Sequence, residues 1–181
     1  MYKLTKTSFI QRISDGAFIP ADPDNRDYAE YLEWRAAGNT PEPAMSLEEM
    51  QNEVWEKIKA LRDSLSDTGG YMVVVGGVSK WFHSDQKSKT QQLALARKAD
   101  KAKANNEDMS VPFSGNSGMW KTMDGSFVPM SPALAIAIAD AAEVQEGELY
   151  FVSETHKAMM LADSDPLNYD YTTGWPAVFG E

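Results

Sequence analysis

Apolar and polar positions alternate through residues 3–20, and a turn interrupts the alternation. Phe9-Ile10-Gln11-Arg12-Ile13 and Ala17-Phe18-Ile19-Pro20 flank Ser14-Asp15-Gly16. An Asp-Gly pair between apolar runs predicts a β-hairpin, because glycine accepts the positive φ of a tight turn. Pro20 lacks an N–H and ends the second strand. From about Asp24 to Ala37 the spacing becomes helical, with Tyr28, Tyr31, Leu32 and Trp34 on one side and Gly38-Asn39 as a stop. The stretch from Gly38 to Ala44 holds Pro41 and Pro43 and no large apolar residue, so it reads as a linker.

The strongest helix signal follows. Ser46-Leu47-Glu48-Glu49 is a capping box, in which the Ser hydroxyl and the Glu carboxylate each satisfy a backbone N–H of the first turn. Leu47, Met50, Val54, Ile58, Leu61 and Leu65 then recur every three or four residues and trace one stripe. Packing into the chain's own core accounts for that stripe, and a coiled-coil seam is the alternative. Thr68-Gly69-Gly70 stops the helix.

Tyr71-Met72-Val73-Val74-Val75 and Val78-Ser79-Lys80-Trp81-Phe82 flank Gly76-Gly77 and predict a second hairpin. Ser84-Asp85 begins a helix to about Ala104, whose thin stripe of Leu93, Ala96 and Ala99 predicts weak packing or a surface position. Asn105 to Gly118 is polar and reads as a mobile loop. Met119-Trp120-Lys121-Thr122 and Phe127-Val128-Pro129 form a third hairpin around Asp124-Gly125. Ser131-Pro132 then opens a helix, with Ser as N-cap and Pro at the first helical position. It either breaks near Glu146-Gly147 or continues to about Ala162, and the aromatic tail from Asp165 is irregular.

The expected fold is therefore α+β, with three short β-hairpins and about four helices. Residues 1–37 form a small hairpin-helix appendage, 38–45 a Pro-rich linker, and 46–181 an α+β body. Asp15-Gly16-Ala17-Phe18-Ile19-Pro20 and Asp124-Gly125-Ser126-Phe127-Val128-Pro129 share one pattern, read as two hairpins using the same turn chemistry.

Charge and composition narrow the function classes. The 17 Lys+Arg against 27 Asp+Glu leave a net charge of −10, which disfavours nucleic acid, since backbone binding needs clustered cations. There is no Cys, so disulfides, thiolate metal sites and Cys nucleophiles are excluded. With 2 His, a His-rich metal site is excluded as well. The opening residues lack the apolar core of a signal peptide, and no apolar run approaches the roughly 20 residues of a spanning helix. The expectation is a chain folded in a cytoplasm, neither secreted nor inserted in a membrane.

No catalytic, cofactor or metal constellation stands out. His83-Ser84-Asp85 is contiguous, whereas a catalytic triad is spatial, and Ser or Asp there is better used as an N-cap. His156 has polar neighbours and reads as solvated or half-buried. The acidic run Asp22-Pro23-Asp24-Asn25-Arg26-Asp27 departs from a calcium loop, with Arg26 at a ligand position and Asp27 in place of glycine. N-capping by Asp24 explains it better. Asp163-Ser164-Asp165 is either a weak cation site or a loop.

The aromatic residues are the unusual feature, with 5 Trp in a polar chain. Exposed Trp and Tyr are frequent anchors of protein–protein contacts. Tyr28, Tyr31, Trp34, Trp81, Phe82, Trp120 and Trp175 are accordingly the candidate partner-binding residues, against core packing as the alternative use.

The run from Ile13 to Trp34, followed by Gly38-Asn39-Thr40-Pro41-Glu42-Pro43, resembles the leader segment of many tailed-bacteriophage tail-fibre and tail-fibre-assembly proteins. The helix Trp55–Arg62, Trp81-Phe82-His83-Ser84-Asp85, Trp120-Lys121-Thr122 and Trp175-Pro176 resemble a domain of unknown function common in phage tail proteins. The resemblance implies a place in the virion tail, or in the host cytoplasm during assembly. It implies a tail-fibre or other tail protein as partner, with a homo-oligomer also permitted, and no reaction. The first functional expectation is thus a non-enzymatic structural tail component or fibre-assembly chaperone. The second is a small tail-associated hydrolase acting on a host surface polymer through a carboxylate pair.

Overall fold

A computed structural model of the chain describes residues 1–180, apart from the side chains of Asn116 and Ser117. The fold is α+β, as the periodicities predict, with four α-helices and three small antiparallel sheets among the described residues. The chain divides into two compact units, Met1–Val54 with Asp165–Leu167, and Trp55–Ser164 with Asn168–Glu181. Glu181, the last residue of the expected body, lies outside the described residues.

In the first unit, β1 (Tyr2–Leu4), β2 (Phe9–Arg12) and β3 (Phe18–Pro20) form one sheet in sequential order. The register pairs Tyr2 with Arg12 and Ile10 with Ile19. The first strand adds a third member to the expected hairpin. Ile10 and Ile19 face inward together with Tyr2 and with Tyr31 of α1 (Arg26–Ala36). Tyr28 and Trp34 pack against this cluster, and the Tyr2 ring meets Tyr31 and Trp34 edge-on, both at 5.1 Å. The small unit therefore builds an aromatic core of its own.

One local expectation in this unit is corrected. The cap of α1 is Asn25, whose side chain accepts from the Tyr28 N–H at 3.1 Å, while Asp24 donates its own N–H to Asp22 at 2.9 Å. An Asx turn thus precedes the cap. The expected linker forms no helix or strand and touches the sheet through one isolated bridge. Leu4 N–H donates to the Glu42 carbonyl at 2.8 Å and Glu42 N–H to Tyr2 at 2.9 Å, because Glu42 lies between the prolines and keeps its donor.

α2 (Leu47–Thr68) begins in the first unit and ends in the second. Its capping box forms, with Glu49 N–H donating to Ser46 Oγ at 3.1 Å and Ser46 N–H to Glu49 Oε2 at 2.7 Å. Those bonds hold the Glu49 carboxyl below its usual range. Of its stripe, Val54 and Ile58 are fully buried and Leu47 is exposed.

In the second unit, β4 (Tyr71–Val75) pairs with β5 (Val78–Phe82), and β6 (Met119–Lys121) with β7 (Phe127–Pro129). Gly76 and Gly77 both have positive φ, +58° and +84°, the pair a two-residue type I′ turn needs. The two hairpins are joined by Met123 N–H donating to the Trp81 carbonyl at 2.9 Å and by the Lys80–Asp124 ion pair at 2.8 Å. Lys80, then the Thr122 and Ser126 hydroxyls, hold the Asp124 carboxyl far below its usual range.

α3 (Gln86–Ala104) is capped by Asp85, which accepts from Lys87 and Ser88 N–H groups. The expectation that α3 packs weakly is wrong. Ala96, Ala99 and Ala102 are buried, Ala99 completely, and α3 lies along α4 (Pro132–Ala162). Small side chains let the two helices approach closely, so a thin apolar stripe marks tight packing. The core joins Ala99 to Tyr71, Val73 and Phe82 of the first hairpin, Val128 and Met130 of the second, and Leu134 and Ile138 of α4. The segment expected as a mobile loop contributes Phe113, buried, with its N–H on the Met130 carbonyl at 2.9 Å and Lys98 over its ring at 4.4 Å.

α4 passes Gly147 without a break and is capped as expected, Ser131 accepting from Leu134 N–H at 3.2 Å. Among the described residues no helix is long and apolar enough to cross a membrane.

Candidate functional site

The second half of α4 buries Leu149, Ser153, His156 and Met160, which recur every three or four residues and form one stripe. His156 is 8% exposed, and both ring nitrogens are engaged. Nε2 lies 2.9 Å from the Thr173 carbonyl, which can only accept, so Nε2 carries the proton. In the neutral ring Nδ1 then accepts from the Tyr169 hydroxyl at 2.8 Å. The Trp175 ring stacks on the imidazole at 5.4 Å, and its Nε1–H donates to the Tyr171 carbonyl at 2.8 Å. Asp170 braces the same segment by accepting from the Thr172 hydroxyl and N–H, which lowers its carboxyl. Burial raises the Tyr169 hydroxyl.

The expectation of a solvated or half-buried His156 is thus corrected to a buried one. Glu154, Thr155 and Lys157 lie off the buried stripe, and the imidazole holds down a strap from Tyr169 to Phe179. The far end of the strap is tied by Phe179 N–H on the Gly69 carbonyl at 2.9 Å, and by the Phe179 ring against Trp81 at 6.4 Å. Gly69 must be glycine here, since a Cβ would lie 2.5 Å from the Leu65 carbonyl oxygen and 2.7 Å from Val178 Cγ1.

Two cavities flank Gly174-Trp175-Pro176. One, about 440 Å³, is floored by Val144, Gly147, Glu148, Phe151 and Val152 of α4. The other, about 320 Å³, is lined by Leu61 and Leu65 of α2 and by Thr172. In the first, Phe151 is 71% and Val144 60% exposed, one heptad apart on the side of α4 away from its buried stripe. The strap and this face of α4 form an apolar groove with Trp175 as one wall, the kind of surface that marks an interaction site.

A further cavity of about 230 Å³ lies between α3, α4 and β4 and is lined by Lys89, Gln92, Glu143, Glu146 and Tyr71. Lys89 Nζ contacts Glu146 Oε1 at 2.5 Å and the Ser66 hydroxyl at 2.9 Å, tying α2, α3 and α4 together. The Tyr71 hydroxyl donates to Gln92, whose amide donates to the His83 carbonyl at 2.9 Å, and burial pushes the phenol well up.

The structure separates the seven candidate aromatics. Tyr31 and Phe82 are buried and serve as core, which corrects their expected place on a partner surface. Tyr28 and Trp34 are half-buried against the first-unit core. Trp120 is half-buried against the second-unit core, and Trp81 is half-buried under Phe179. Of the seven, Trp120 and Trp175 wall cavities: Trp120 lines one of about 290 Å³ with exposed Met119 and the polar His83, Ser88, Gln91 and Lys121, whereas Trp175 walls a larger one with exposed Val144 and Phe151. Reading the sequence missed Val144 and Phe151. The available signal was that α4 has apolar residues on more sides than one buried stripe requires.

The other sequence motifs resolve as structure. Ser84 Oγ accepts from Gly70 N–H at 2.9 Å, so it joins β4 to the start of α3 and leaves the capping to Asp85. Among the described residues no three His, Asp or Glu side chains come together as metal donors.

No curated protein and no solved structure matches the chain. A family model described as "Domain of unknown function (DUF4376)" matches residues 49–173, from the capping box of α2 to the carbonyl that His156 holds. That match spans more than half of the chain, and the protein belongs to this DUF4376 family.

Proposed function

We propose that this protein acts by protein–protein contact, as a tail-fibre-associated protein of a tailed bacteriophage, and that the Trp175 groove receives the partner. One observation carries the binding role: Val144 and Phe151 stand exposed beside Trp175 above a cavity large enough for a partner's apolar side chain. The phage assignment draws support from the resemblance of Ile13–Trp34 to tail-fibre leader segments. Under this reading the protein works without catalysis. It is either a resident tail component or an assembly chaperone that binds fibre chains in the host cytoplasm.

Quantitative mass spectrometry of purified virions separates these roles. A signal stoichiometric with the major tail protein makes it a resident component. Absence from virions, with recovery on fibre chains from infected cells, makes it a chaperone. Absence from both overturns the tail reading, and Phe151→Asp that leaves fibre capture intact overturns the groove.

A second reading, polymer hydrolysis, draws on the cavity lined by Glu143 and Glu146. There the Glu146 carboxylate is held by Lys89 and Ser66, which leaves Glu143 as the acid with room to act. Release of reducing sugar from host surface polymer by the full chain, lost in Glu143→Gln, is the result that favours this reading.

A further inference from the structure

Resting on the groove reading above, we propose that the groove takes a basic amphipathic segment of a partner protein, with apolar side chains against Phe151 and Trp175 and Lys or Arg against the acids of α4. The groove is mostly apolar, and among the described residues that line it the one ionisable side chain is Glu148, which is exposed. At about 100° per residue, Asp140 falls on the same side of α4 as Val144, Glu148 and Phe151, and it too is exposed.

Among the described residues no cation pairs with these two acids. Lys157, the one lysine of α4, lies over the Trp55 ring at 4.5 Å, and Lys89 is taken by Glu146 at 2.5 Å. A partner that buries the Phe151 edge therefore meets negative charge at the rim. Desolvating those carboxylates against an apolar or acidic surface is costly, and a cationic rim on the partner offsets that cost.

The same charge argues against a second copy as occupant. Two α4 faces brought together would place Asp140 and Glu148 of one chain near the same acids of the other, in a protein whose net charge is already −10. A nucleic acid is repelled for the same reason.

The test uses the full chain and two synthetic helical peptides that share one leucine face. One carries Lys and the other Glu on the polar face. The expected result is binding of the Lys peptide, seen as NMR amide shifts at Val144, Glu148, Phe151 and Trp175, and weakened by added salt. Asp140→Lys with Glu148→Lys should weaken it by roughly tenfold or more. The Glu peptide should not bind. Equal binding of both peptides, or shifts spread over other acidic surfaces, overturns the proposal. So does a concentration-dependent dimer that uses this face. Fibre capture distinguishes the two levels of inference. If Phe151→Asp abolishes capture and the charge-reversed double variant does not, the groove stands and its preference for a basic segment fails. If neither variant affects capture, the groove reading itself fails.

Discussion

His156 on α4 donates its Nε2–H to the backbone carbonyl of Thr173 at 2.9 Å, a bond between the last long helix and a segment with no regular structure of its own. With Tyr169 on the other nitrogen and Trp175 stacked on the ring, one side chain sets the path of the strap and with it the wall of the groove. His156→Ala should cost about 2–3 kcal/mol, from two lost hydrogen bonds and their unsatisfied partners. His156→Phe should keep the stacking and lose the bonds. Urea unfolding of both variants, with near-ultraviolet circular dichroism as a report on Trp175, measures the effect. Wild-type stability in both variants would show that the strap is held from elsewhere.

Acid should weaken the fold through groups that are named by their hydrogen bonds. Glu49, Asp124 and Asp170 all titrate below their usual range because the folded chain donates hydrogen bonds to their carboxylates. A carboxyl depressed by folding stabilises fully above its unfolded value, near ~4, and loses that contribution as pH falls through the folded value. The urea midpoint should therefore be level near neutrality and decline below about pH 4. Asp124→Asn should lower the midpoint at neutral pH and flatten the acid limb, because its Lys80 partner no longer has a charge to meet.

Two glycines should respond to alanine in opposite directions. Gly70 has φ +73°, and a Cβ there would strike the Met123 sulfur and sit 3.0 Å from the Phe82 carbonyl oxygen. Gly70→Ala should cost about 1–3 kcal/mol. Gly147 lies inside α4 with nothing within 4 Å of a built Cβ, so Gly147→Ala should stabilise by about 0.5–1 kcal/mol. Thermal melts of the two variants provide the comparison.

α3 offers a similar contrast. Ala99 is fully buried, whereas Leu93 on the same helix is 51% exposed. Ala99→Leu should force α3 away from α4 at about 1–3 kcal/mol, while Leu93→Ala should change stability by less than about 1 kcal/mol. Equal, small effects would mean that α3 does pack loosely, as its composition alone suggests.

Much of the secondary structure was legible because its signals are local. The Ser46–Glu49 box, the Gly76-Gly77 turn and the Ser131-Pro132 start each depend on groups within a few residues, and each forms as read. The Asp15-Gly16 and Asp124-Gly125 turns behave alike. In both, the Asp side chain accepts from the N–H two residues on, the next Phe is exposed, and the β-branched residue after it is buried. Missing from the local signal was the choice between neighbouring caps, which set Asn25 in place of Asp24.

The candidate site was legible in one residue, Trp175, and illegible in its setting. An isolated tryptophan says nothing of what lies beside it. Val144 and Phe151 gain their meaning only from the strap, and the strap from His156, whose burial depends on residues 13 and 17 positions further along the chain. Tyr31 and Phe82 made the converse error, since aromatic character alone does not distinguish an anchor from a core residue.

By itself, the sequence determined most of the elements and turns, the α+β class and the charge that any partner must answer, because these follow from short-range sterics, hydrogen bonding and composition. Tertiary structure alone decided which faces are buried: the alanine seam of α3, the closure of the first-unit core by Tyr2, the clamp on the strap and the open face of α4. Burial is settled by side chains that meet across long sequence separations, and no periodicity along one segment records what the other segment brings.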